Sequence, residues 1–192
     1  MVFQYRLRAV ANVKKFLIVI ISIISFILIC CLLIFFLLKP RDKVSYDIEK
    51  WKNLENKQPF LPSVDELGEY TDLKCKFFHK DLFIFESDAY VLRVTYGDEA
   101  FGQQKDYIND HYVMQEKVME NGLERETFFT LDGFYFQMLS QKEYKLYYPR
   151  TMAFIGISEE NNEIAYVFYH DIDLDYIGGS LSDFLIEECG WE

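Results

Sequence analysis

Apolar and polar residues follow two different patterns along this chain. Phe16 to Leu38 is one run of 23 residues, 21 of them apolar and none charged. From Val44 onward, apolar residues recur in short periodic groups instead. At about 1.5 Å per helical residue, the run covers roughly 34 Å, enough for a hydrocarbon core of about 30 Å. A helix closes its own backbone hydrogen bonds, as lipid demands, so residues 16–38 predict a transmembrane helix. The run is longer than the apolar region of a cleavable signal peptide and ends in Leu37-Leu38-Lys39-Pro40, with no A-x-A pattern. Ile27-Leu28-Ile29 ahead of Cys30 and Cys31 lacks the small residue of a lipoprotein site. The reading is an uncleaved signal anchor that Pro40 terminates. Basic residues flank it on both sides and do not decide orientation by count. The short tail with Arg6, Arg8, Lys14 and Lys15 predicts an N-terminus inside and a domain outside the cell.

Beyond the anchor, Val44, Ile48 and Trp51 share one helical face, which predicts a juxtamembrane helix over 44–57. Pro59 and Pro62 predict a stiff connector, and Ser63-Val64-Asp65-Glu66 a capping box where the domain begins. Alternation predicts a strand at Leu73–Phe77, a turn at His79-Lys80-Asp81 and a strand at Leu82–Glu86. A turn at Ser87-Asp88 and a strand at Tyr90–Tyr96 follow. A helix opens at Gly97-Asp98-Glu99, carries Phe101, Ile108 and Tyr112 on one face, and is expected to end before Gly122. Gln104 and Lys105 interrupt its stripe.

Strands at Glu126–Leu131 and Phe134–Leu139 flank Asp132-Gly133, a two-residue hairpin signal. A second pair, Met152–Ile157 and Glu163–His170, is followed by a helix carrying Leu181, Phe184, Leu185 and Cys189. Ser180 and Asp183 cap that helix and Gly190 ends it. The order β-β-β-α-β-β-β-β-α predicts an α+β fold: a transmembrane helix, then one mainly antiparallel sheet with two helices on one face. The divisions are a basic tail (1–15), a transmembrane helix (16–38), a juxtamembrane helix and linker (39–62), and an acidic α+β domain (63–192).

Composition sharpens this division. The 169 residues outside the run are 45 % apolar, an ordinary globular fraction, and too few for a multidomain enzyme. Residues 1–43 carry net +6 and residues 44–192 net −17. Nucleic acid is excluded as a partner, since phosphate backbones demand Lys and Arg. The acidity itself reads as solubility by self-repulsion.

Candidate chemistry is sparse. Asp171, Asp173 and Asp175 fall on one side of an extended segment, where three carboxylates suit calcium. Tyr176 and Ser182, however, occupy the positions of the EF-hand glycine and glutamate, and a solvated face is the plainer reading. His79, His111 and His170 have no zinc spacing and read as surface or hydrogen-bonded histidines. Cys75 reads as a small buried thiol; a disulfide with Cys189 stays open. Gly178-Gly179-Ser180 reads as a loop and cap rather than an anion site, and Tyr144, Tyr147, Tyr148 and Pro149 as packing rather than a stacking platform. No P-loop, G-x-G-x-x-G or G-x-S-x-G occurs. No catalytic, cofactor-binding or metal residue is assigned.

The anchor, LPSVDELGEY at Leu61–Tyr70, FESDAY at Phe85–Tyr90 and EECGW at Glu187–Trp191 together resemble small single-pass membrane proteins of Gram-positive bacteria with no assigned function. Fourteen Lys against six Arg, and 17 Ile against six Ala, agree with AT-rich coding. The resemblance carries no catalytic residue across. The function expected is a membrane-anchored extracytoplasmic module that binds a protein or cell-envelope partner. The alternatives are a cell-surface hydrolase using Asp/Glu chemistry and an inward-facing regulatory domain.

Overall fold

The computed structural model describes residues 18–34, 41–55, 58, 60–82, 85–120, 122–171, 180–187 and 189–191. The chain divides into two units, residues 1–40 and Arg41–Glu192. In the first, residues 18–34 are helical (α1), and every side chain on them except Cys30 is exposed. Among the described residues no helix is long and apolar enough to cross a membrane. Phe16, Leu17 and residues 35–38 of the apolar run lie outside the described residues.

The second unit is α+β. It runs β1 (Arg41–Ser45), α2 (Ile48–Glu55), a 3-10 turn (Val64–Leu67), β2 (Asp72–Leu82), β3 (Phe85–Thr95) and α3 (Asp98–His111). Then come β4 (Lys117–Glu120), β5 (Leu123–Glu126), β6 (Phe128–Leu131), β7 (Phe134–Met138), α4 (Gln141–Tyr144), β8 (Thr151–Ser158), β9 (Glu163–Asp171) and α5 (Leu181–Glu187). Seven strands form one antiparallel sheet in the order β1-β2-β3-β9-β8-β7-β6, and β4 and β5 form a separate hairpin.

Both faces of the sheet are buried, where one covered face was expected. Period-2 alternation sends Phe77, Leu92, Ile164 and Tyr166 to one side, packed with Trp51, Leu54, Phe101 and Ile108 from α2 and α3. Val91, Val167, Phe154 and Phe136 point to the other, against Leu181, Phe184 and Leu185 of α5 and the C-terminal Trp191. Apolar runs such as Ala153–Ile155 and Ile164–Tyr169 are the sequence trace of strands covered twice.

Three expectations are corrected. Of the segment 39–62 read as juxtamembrane helix and linker, the part from Arg41 belongs to the domain: β1 is an edge strand, Trp51 is fully buried, and its Nε1 donates to Pro62 O at 2.9 Å. Pro59 lies outside the described residues. The turns expected at 79–81 and 87–88 lie inside strands. Their polar residues face each other, His79 opposite Asp88 and Lys80 opposite Ser87, so the ladder runs through them. Helix α3 ends at His111, before Gly122 as expected, because Tyr112 turns extended after its N–H caps Ile108 O. The interrupted stripe of α3 is also resolved: Gln104 is buried, and its amide donates to Tyr166 Oη at 3.1 Å and Glu66 O at 3.4 Å.

Local signals otherwise act as read. Ser63 and Glu66 close a reciprocal capping box. Asp132 (φ 48°) and Gly133 (φ 78°) make the β6–β7 turn. Ser180 Oγ accepts from Asp183 N at 3.1 Å at the start of α5.

Candidate functional site

At one end of the sheet the apolar face stops and a polar row begins. Each member stands two residues beyond a residue of that face on its own strand: Lys43 beyond half-buried Ser45, His79 beyond Phe77, Asp88 beyond Tyr90, His170 beyond Phe168, and Thr151 beyond Ala153. Side chains alternate along a strand, so these five project from the same face as that core. The register then sets them side by side: Lys43 opposite His79, His79 opposite Asp88, Asp88 opposite His170, His170 opposite Thr151.

The row is organised around Asp88. His79 Nδ1 lies 2.8 Å from Asp88 Oδ1, with the two side chains 30 % and 33 % exposed. Tyr90 also hydrogen-bonds to Asp88. Burial first, then the Asp88 charge and this bond, push the Tyr90 phenol up to about 12, so it stays a donor. A carboxylate accepting at Nδ1 fixes the proton on that nitrogen and leaves Nε2 as the working atom of the ring. Nε2 has no hydrogen bond among the described residues. On the far side, His170 Nδ1 pairs with Thr151 Oγ1 at 3.1 Å.

Helix α2 covers the adjoining aromatic row and leaves a cleft of about 260 Å³ above β1–β3. Lys43, Lys50, Asn53, His79 and Asp88 supply its polar groups, and Phe77 part of its floor. Lys50 Nζ sits 5.8 Å from the centre of the Phe77 ring. Neither Lys43 nor Lys50 forms an ion pair among the described residues, although residues 44–192 hold 30 acids.

Compared with known proteins, the chain matches no family model, no curated protein and no solved structure.

Two further concavities are less open to a ligand's chemistry. On the opposite face, Lys74, Lys76, Arg93 and Trp191 border about 190 Å³. There Arg93 is spoken for: its guanidinium lies 4.9 Å from the Trp191 ring and 5.0 Å from the Phe134 ring, with Nη2 donating to Glu163 at 3.0 Å. At the start of α3, Glu69, Asp98 and Glu99 border an acidic depression of about 470 Å³, where Asp98 accepts from Asn162 at 2.7 Å. No group of three metal-ligating side chains occurs among the described residues.

The residues singled out from sequence separate in the fold. Asp171 is not on a solvated face: it is buried and accepts from Tyr169 Oη at 3.0 Å and Ser87 Oγ at 2.8 Å. Asp173, Asp175, Gly178 and Gly179 lie outside the described residues. His111 stacks on Tyr107 with ring centres 4.0 Å apart. Cys75 and Cys189 lie in cores on opposite faces of the sheet and form no disulfide, which answers the pairing left open. Tyr144 packs against Phe60 and donates to His111 O, while Tyr147 is exposed. From the sequence Lys43 and Lys50 count only as basic residues flanking the anchor, and Asn53 lies on the predicted juxtamembrane helix, so none of the three is singled out as a site residue. The one trace of the site was a polar residue continuing the alternation of each core stripe.

Proposed function

We propose that this chain is a single-pass membrane-anchored binding module, with residues 16–38 as the anchor, its N-terminus inside and its α+β domain outside the cell. The observation that carries the binding role is the cleft under α2. It gathers two lysines that form no ion pair among the described residues and an Asp88-oriented histidine on a domain otherwise dense in acids. Such a concentration of polar groups over an apolar floor is how small ligand sites are built. The anchor is supported by the apolar run and by α1, whose Ile, Leu and Phe side chains are exposed all round. Exposed apolar surface of that extent calls for a lipid covering.

A hydrolase reading has one observation in its favour, the oriented imidazole of His79. Among the described residues the cleft lining contains no serine, threonine or cysteine, and its one carboxylate, Asp88, is held by His79 and Tyr90, which favours binding.

Two measurements test the reading. Asn161→Cys and Gln4→Cys variants are treated in intact cells with an impermeant thiol reagent. Labelling at 161 alone is expected; labelling at 4 alone overturns the orientation. Native mass spectrometry of the extracted full chain then looks for a bound small molecule. A load present in the wild type and lost in Lys43→Glu/Lys50→Glu is expected. No load, or an equal load in both, overturns the cleft as the binding site.

A further inference from the structure

We propose that the ligand of the cleft is a phosphate monoester, held by the ammonium groups of Lys43 and Lys50 and by His79. The inference rests on the cleft being the binding site and specifies the chemistry that it takes.

The donors decide the class. A planar carboxylate is best matched by the rigid fork of an arginine, and a tetrahedral dianion by point charges that approach from different directions. Among the described residues the lining contains two lysines and no arginine. Lys43 comes from an edge strand and Lys50 from the helix above it, so the two charges reach the cleft from separate elements. Nothing among the described residues neutralises either one. The one acid in the lining, Asp88, is already engaged by His79 and Tyr90.

His79 adds a second reason. With Nδ1 bound to Asp88, Nε2 can share one proton with a phosphate oxygen. A neutral ring accepts it from a monoanionic ester, and a charged ring donates it to the dianion. Phosphate monoesters exchange that proton at about pH 6. The size agrees as well. At about 260 Å³ the cleft is below the usual span of drug-sized sites and suits a headgroup with a short stem on Phe77.

The test uses the full chain in nanodiscs of phosphatidylcholine, titrated calorimetrically with glycerol 3-phosphate and, separately, with succinate as a planar dicarboxylate. Saturable 1:1 binding of glycerol 3-phosphate is expected, about tenfold or more tighter than succinate. Lys43→Ala/Lys50→Ala is expected to weaken it about tenfold or more, as the loss of a hydrogen bond to a charged group does. Both lysines are exposed, so the variant keeps its fold; Lys74→Ala, on the opposite face, is expected to bind as the wild type does. Nanodiscs doped with phosphatidic acid identify the source. Loss of glycerol 3-phosphate binding there assigns the site to a lipid headgroup, and unchanged binding assigns it to a soluble ester.

No binding of glycerol 3-phosphate, succinate binding as tight, or a double variant that binds like the wild type overturns the proposal. If the mass-spectrometric load stays lysine-dependent while glycerol 3-phosphate fails, the phosphate assignment falls and the binding site stands.

Discussion

Phe136 on β7 lies with its ring against the backbone of Gly156, its register partner on β8. A Cβ built at position 156 would stand 2.4 Å from the ring's Cε1, and the ring has nowhere to go. Trp191 meets it edge-on at 5.0 Å, and Phe129 and Phe134 stack on it at 5.2 and 5.7 Å. Glycine is therefore required at 156 by space, not by backbone angle. Gly156→Ala is expected to lower stability by about 1–3 kcal/mol, the usual cost of overpacking. A urea midpoint unchanged from the wild type would refute this packing.

Trp191 closes the same core from the far end of the chain. It is buried, faces the Arg93 guanidinium at 4.9 Å, and donates from Nε1 to Asp132 at 2.8 Å. Trp191→Ala is expected to cost about 3–5 kcal/mol through the cavity it leaves. Trp191→Phe keeps an aromatic face toward Arg93 and loses the hydrogen bond, at a cost of about 1 kcal/mol. Chemical denaturation of the two variants separates packing from hydrogen bonding; equal losses would assign the whole effect to the bond.

Four tyrosines couple the fold to alkaline pH. Burial, followed by Asp88, raises Tyr90 to about 12, and burial also raises Tyr96, Tyr112 and Tyr166. Their phenols in the unfolded chain lose protons near pH 10. The folded state thus holds these protons more tightly. Its advantage is complete below about pH 10 and is lost as pH rises through 12. Stability is expected to fall across that window, with part of the tyrosinate absorbance appearing only on unfolding. Ionisation of all 14 tyrosines by about pH 11 with circular dichroism unchanged would contradict it.

The two domain cysteines are expected to resist modification. Burial, then the Asp47 charge, pushes the Cys75 thiol up, and less thiolate means slower reaction. Cys189 is buried in the opposite core. Mass spectrometry should find neither labelled by a maleimide in the folded protein, with or without reductant, and both labelled after denaturation. Labelling that depends on reductant alone would show a disulfide and contradict the separation of the two cores.

The sequence alone determined features that depend on neighbours in the chain. The Ser63–Glu66 capping box, the Asp132-Gly133 turn, the Ser180 cap and the strands around Met152–Ile157 and Glu163–His170 could all be read locally. Each depends on a side chain a few residues away or on backbone angles that few residues accept. The α+β class followed from strands grouped in runs.

Only the tertiary structure decided that residues 41–62 belong to the domain. Trp51 and Pro62 look like interface and linker residues until the core they fill is known. It also decided that polar His79 and Asp88 sit in strands, since a polar residue signals a turn locally but can pair across a ladder. The polar row beside the cleft depends on register between β1, β2, β3 and β9, the last reached by a long chain path between Thr95 and Glu163. No periodicity within one segment records which residues of a distant segment will stand opposite it, because that choice is made by the packing of both sheet faces.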